Sequence, residues 1–441
     1  MYSGEDDVVY SGEDDDAVSG KTGAGQEPTW IHGAVDAAAA ALAGGLTTIE
    51  EVHTAIARRS FAPVGLAPAV AEVSEVVRTI HDGIARLVYG GIRTGIAAGG
   101  GAARLAARFA GSGDGDLRPG SPAGIAVAAV NGFAGDRLAR EGNPLATTMA
   151  LRQRGRIIAL DRRALAAAFP HASPRLAVFV HGLACDESSW RLHADRHYGD
   201  RATTYGSRLQ ADLGYTPLYV RYNTGLHVSD NGRRLARLLE RLVAAWPVAI
   251  DELVVVGHSM GGLVIRSGCH YGQRTDLEWT RLVRHVVFLG SPHLGVPLEK
   301  AANATAWLLG LSDVTRPFAD ALNARSAGIK DLRFGALLDE EWAGADADEL
   351  LVDRTGEVPL LAGACHYLVA ATVTRDPLHP LGIAVGDLLV REASASGRGR
   401  LTHARFPIEN GRHFGEMTHL ELLNHPDVYA QMRRWLERPA T

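Results

Sequence analysis

The sequence predicts an α/β protein: a mostly parallel sheet covered by helices, preceded by an α-helical region and an acidic tail. Three observations carry this. From about Asn143 onward, β-rich runs alternate with helix-like segments. One of those runs passes directly into a glycine-flanked serine, "VVVGHSMGGLVIRSG" at 254–268. The composition, 46% hydrophobic and 22% charged over 441 residues, is that of a soluble globular chain long enough for two or three units.

The tail is residues 1–27. "YSGEDD" occurs at Tyr2–Asp7 and again at Tyr10–Asp15, and the segment holds eight acidic residues against Lys21. It is too polar to bury a core and is expected to be disordered. At -7 it outweighs the formal net charge of -5, leaving a remainder near +2, too weakly basic for a nucleic-acid partner.

Residues 28–143 read as an Ala/Gly-rich helical region. In "VSEVVRTIHDGIARLVYGGIRTGI" the residues Val73, Val76, Val77, Ile80, Ile84, Leu87 and Val88 recur at three and four, giving one apolar face. Protein packing is the preferred use of that face. Peripheral contact with a membrane is the second, since Arg78, Arg86 and Arg93 flank it without forming a strongly basic face. "AGSGDGDLRPGSPAG", 110–124, reads as a linker, and Ser121–Gly135 is too short for a spanning helix.

Strands are expected at Gly155–Asp161, Arg175–Gly182, Pro217–Asn223, Glu252–His258, His285–Ser291 and His366–Val373, with a helix at Asn231–Trp246. A parallel, doubly covered sheet places its chemistry at the carboxyl ends of the strands. "GHSMG" then has the context of a nucleophile elbow. Gly257 and Gly261 permit the tight turn and Ser259 is projected from it.

A serine hydroxyl needs a base, an acid that orients the base, and N–H donors for the oxyanion. Met260 supplies one donor. The turn after "AVFVHG" supplies the other, Leu183 before Ala184, with His181 read as a structural brace. Acid and base follow the serine along the chain. Asp387, in a Gly-Asp turn, is preferred to Asp376. Among His413, His419 and His425, His419 is preferred, with Asn424 or Asp427 as the cap of a terminal helix. No nucleotide or metal motif is found, so neither metal nor organic cofactor is expected. Cys185, Cys269 and Cys365 are widely spaced, and the acidic start lacks the pattern of a secretion signal. A cytoplasmic location is expected, with the inner membrane face as the alternative.

From about Leu151 to Leu436 the chain resembles the α/β-hydrolase superfamily, and within it bacterial lipases and the glycosylphosphatidylinositol inositol-deacylase-like branch. The resemblance rests on "VFVHGL", "YVRYNTGLHVSDNG", "VVVGHSMGGLV", "FLGSPHLG", "GDLLV" and "THLELLNHPDVY", in that order. It implies an α/β-hydrolase domain at 144–441, a cap insertion at about 297–359, and Asp387 and His419 as acid and base. "HGLACDESSW" departs from the usual H-G-x-x-G, with Cys185 at the second glycine position. The implied activity is serine ester hydrolysis of an acyl ester or lipid. An acyltransferase with the same triad and a catalytically silent adaptor are the alternatives.

Overall fold

The structure is a computed structural model that describes residues 120–296, 325–344, 356–376, 387 and 410–438. The acidic tail, the amphipathic helix at 73–88, much of the 297–359 insertion and most of "GDLLV" lie outside the described residues.

In chain order the described elements begin with helix α1 (Pro122–Arg140), strands β1 (Ala150–Gln153) and β2 (Arg156–Ile157), helix α2 (Arg162–Ala168) and strand β3 (Arg175–Val180). Helices α3 (Ala194–Tyr198) and α4 (Tyr205–Leu213), strand β4 (Thr216–Arg221), helix α5 (Val228–Ala245), strand β5 (Glu252–His258) and helix α6 (Met260–Arg274) come next. They are followed by helix α7 (Trp279–Leu282), strand β6 (Val283–Leu289), helix α8 (Ala327–Asp331), strands β7 (Cys365–Ala371) and β8 (Gly411–Phe414), and helix α9 (Pro426–Leu436).

The strands form one sheet in the order β2-β1-β4-β3-β5-β6-β7-β8. From β4 to β8 all neighbours are parallel, and the β1–β2 hairpin is antiparallel at the edge. Residues 253–258 of β5 are all buried, as expected of a strand covered on both faces. Alternate residues of one strand serve opposite layers. Leu176, Val178 and Val180 join the core shared with Leu235, Leu239 and Leu242 of α5. Ala177 and Phe179 join Tyr205 and Leu209 of α4 and Met432 and Trp435 of α9 on the other side. Along α5 the buried leucines recur at three and four, while Arg234, Arg237 and Arg241 are exposed, which is the amphipathic pattern of a surface helix. It packs closely on α6, where a Cβ on Gly232 would run into the Ser267 side chain.

Three local readings need correction. Gly155–Asp161 is not one strand. Arg154 (φ 51) and Gly155 (φ 84) both take positive φ and form the two-residue turn of the β1–β2 hairpin, while Asp161 caps α2 by accepting from the Ala164 N–H. Helix α1 begins inside the stretch read as a linker, because Ser121 Oγ accepts from the Gly124 N–H and caps it. His425, rather than Asn424 or Asp427, caps α9, its Nδ1 accepting from the Asp427 N–H at 3.2 Å. No described helix is long and apolar enough to cross a membrane.

Residues 325–344 are fastened to the loop after β4. Buried Asp331 accepts from the Val228 N–H at 2.7 Å and meets His227 Nδ1 at 3.0 Å. The His227 ring stacks on Trp342, with centroids 3.7 Å apart. On the opposite side of that loop, Arg221 makes a buried bidentate pair with Glu187 at 2.6 and 2.7 Å. Removing Glu187 leaves Arg221 in a low-dielectric site with only the more distant Asp186, 3.8 Å away, in place of the bidentate pair. Glu187→Ala is therefore expected to lower the unfolding free energy by about 3–5 kcal/mol in urea titrations.

Burial lowers the pKa of His181, His258 and His293, and pushes that of His366 down to about 4. The unfolded chain, whose histidines titrate near 6.5, then binds protons that the folded chain refuses. This contribution is fully present above that value and is lost as pH falls from about 6.5 toward 4. Urea midpoints should drop between pH 7.5 and pH 5, and equal midpoints would contradict the assignment.

Candidate functional site

The parallel strands end together, and the predicted site residues lie on the segments that leave those ends. Ser259 sits between β5 and α6 at φ 53 and ψ -125, a backbone conformation rare for a residue with a side chain. Two kinds of contact hold it there. Its N–H donates to the Leu289 carbonyl at the end of β6 at 2.8 Å. The flanking glycines let the turn close. A Cβ on Gly257 would lie 2.6 Å from the Gly262 nitrogen, and one on Gly261 would collide with the carbonyls of Val180 and His181. Gly261 is therefore required by packing against the end of β3 and Gly257 by packing against α6.

Asp387 and His419, 32 residues apart, are joined twice. Asp387 Oδ2 meets His419 Nδ1 at 2.7 Å, and the His419 N–H donates to the Asp387 carbonyl at 2.9 Å. Asp387 is fully buried and His419 nearly so. Nδ1 faces the carboxylate, and Nε2 has no hydrogen-bond partner among the described residues.

Two residues not singled out from the sequence lie against His419. His258, directly before Ser259, donates from Nε2 to the His419 carbonyl at 3.0 Å, and the two rings lie 4.6 Å apart. Burial and the neighbouring His419 keep His258 well below the usual histidine pKa, so its ring stays neutral. Gly290, at φ 60, follows the residue that accepts the Ser259 N–H, and a Cβ there would stand 3.0 Å from His419 Cε1. Ser259 and His419 thus both pack on residues 289–290. His258 was visible inside the motif, but its hydrogen bond to a residue 161 positions away was not.

The turn after β3 lies on the other side of the serine. A Cβ on Gly182 would be 3.1 Å from Ser259 Cβ. The Cys185 N–H donates to the Gly182 carbonyl at 3.3 Å, closing a turn with Leu183 and Ala184 at its centre and Ala184 at φ 56. Cys185 therefore occupies the second glycine position without opening the loop. The Ala184 N–H is engaged by Thr224 Oγ1 at 3.1 Å, whereas that of Leu183 has no partner among the described residues. Met260 heads α6, where the first-turn N–H groups lack intrahelical acceptors. His181 is buried, stacked on Tyr222, whose hydroxyl donates to the His181 carbonyl.

The rivals stand elsewhere. Asp376 is exposed beyond β7, His413 lies in β8 with Nε2 2.9 Å from Thr372 Oγ1, and His425 caps α9. Among the described residues no cluster of His, Cys, Asp and Glu is arranged to hold a metal ion.

A model of the alpha/beta hydrolase family matches residues 177–432. Solved structures of similar fold include the lipase BlEst2 of Bacillus licheniformis in its propeptide form, 19% identical with a TM-score of 0.41, over 62% of this chain and 52% of that one. Lipase B of Aspergillus fumigatus is 11% identical with a TM-score of 0.37, over 68% and 58% of the two chains. An esterase from Staphylococcus aureus, described as putative, is 13% identical with a TM-score of 0.36, over 62% and 78%. The chain thus spans between half and three-fifths of the two lipases' length. A search of curated proteins finds no match. The family match covers more than half of the sequence, and the chain belongs to the alpha/beta hydrolase family.

Proposed function

We propose that the protein is a serine ester hydrolase of the esterase and lipase type. The observation that carries this reading is Ser259 held at φ 53 on the strand-to-helix turn and bonded to Leu289, with His419, itself paired with Asp387, packed against the adjacent Gly290.

In this reading the Ser259 hydroxyl attacks an ester carbonyl while His419 Nε2 takes its proton. Asp387 fixes the imidazole tautomer and stabilises the cation that forms. The oxyanion accepts from the N–H groups of Leu183 and Met260. His419 then returns the proton to the departing alcohol, and water repeats the sequence on the acyl-enzyme. The resemblance to bacterial lipases and inositol-deacylase-like proteins supports an acyl ester, including lipid esters, as the substrate class.

Hydrolysis of p-nitrophenyl esters from acetyl to palmitoyl tests the reading. Ser259→Ala is expected to lower kcat by about 10⁴-fold or more. Full turnover in that variant would contradict it. Asp387→Asn, which preserves shape but loses the carboxylate, is expected to cost about 10⁴-fold in kcat. Asp376→Asn should leave kcat unchanged, and the reverse outcome would move the acid to Asp376.

A further inference from the structure

Helix α1 lies outside the family-matched residues, yet it packs against the turn beside Ser259. We propose, on the hydrolase reading above, that α1 is a positioning element of the active centre. It sets the Leu183–Ala184 turn and, through α8, the start of α6, so that both oxyanion donors depend on it.

The first route is direct. Gly132 faces Ala184 so closely that a Cβ there would lie 2.8 Å from Ala184 Cβ, 3.1 Å from its Cα and 3.2 Å from its nitrogen. Any side chain at 132 must therefore push the backbone of the turn that carries the Leu183 N–H.

The second route runs through the loop after β4. Buried Asn223 donates from Nδ2 to the Gly135 carbonyl at 2.8 Å, and a Cβ on Gly135 would collide with the Asn223 amide. The next residue, Thr224, accepts the Ala184 N–H. Asn223 Oδ1 also accepts from the Gly225 N–H at 3.0 Å, which fixes the loop between them.

The third route reaches Met260. Ser326 Oγ donates to the Gly132 carbonyl at 2.6 Å, and the Gly328 N–H donates to the Gly225 carbonyl at 3.0 Å. Gly328 in turn sits on the Met260 side chain, where a Cβ would be 2.8 Å from Cε. Helix α1 bends at Ala134 (φ -135, ψ 15), between Gly132 and Gly135. It is itself anchored by Asn131, which bonds the Leu145 carbonyl and the Thr147 N–H at 2.8 Å each.

A helix that only added packing area would affect stability and leave the chemistry alone. One that sets the donors changes kcat, because donor placement matters most when charge develops on the substrate oxygen.

The experiment measures kcat, KM and Tm of the full chain on p-nitrophenyl butyrate for the native protein, Gly132→Ala, Thr224→Val and Ile125→Ser. Thr224→Val keeps the side-chain shape and removes the acceptor of the Ala184 N–H, so it reads the same effect should Gly132→Ala fail to fold. The folded variants of Gly132 and Thr224 are expected to lose about 10- to 100-fold in kcat, with KM within about threefold of native. Ile125→Ser, on the exposed part of α1, should keep native kcat. A folded Gly132→Ala or Thr224→Val with native kcat, or a loss confined to KM, overturns the proposal while the hydrolase reading stands. Absence of Ser259-dependent turnover in the native protein overturns both.

Discussion

The backbone of Ser259 is in a conformation that no isolated chain would favour, and the neighbouring architecture exists around it. The turn persists because β3, β5 and β6 are fixed in register by parallel ladders buried on both faces. Those ladders bring the Leu289 carbonyl under the Ser259 N–H and the Val180 and His181 carbonyls against Gly261. Local strain of this kind is held only where surrounding packing over-determines it. The sheet supplies that packing, so the elbow is a property of the whole core.

The remaining parts meet the elbow by different means. His419 arrives on a loop ahead of α9, tied to Asp387 by two hydrogen bonds and to His258 by a third. Tyr205 braces the same loop from α4, its hydroxyl donating to the Leu422 carbonyl and accepting from the His425 N–H. The Leu183 turn is held from the other side by Gly182, Thr224 and α1. The hydrogen bonds among His258, Asp387 and His419 are made by buried groups and would be costly to lose, while that of Ala184 with Thr224 is half-buried. Together they limit the motion of the candidate site, as the proposed chemistry requires.

Much of this was legible in the residues. Continuous Val/Leu runs such as "ELVVVGH" marked doubly covered strands, and the helix-like segment Asn231–Trp246 marked most of α5. The order serine, acid, histidine led to Asp387 and His419, which the fold brings together. Other features were hidden for physical reasons. Strand β8 is four residues of "GRHF", stabilised by pairing with β7 rather than by any apolar pattern of its own. The Arg154–Gly155 turn lacks the Asn-Gly or Asp-Gly signal of a tight hairpin. The roles of His258 and Gly290 depend on tertiary neighbours far along the chain, so local spacing could not reveal them.

In the proposed mechanism one hydroxyl, that of Ser259, is made nucleophilic by the His419–Asp387 pair. Brief reaction of the native protein with a fluorophosphonate, followed by peptide mass mapping, tests it most directly. One adduct is expected, on the peptide containing Ser259, with its formation strongly slowed in His419→Ala. An adduct on another serine, or esterase activity that survives complete modification of Ser259, would contradict it.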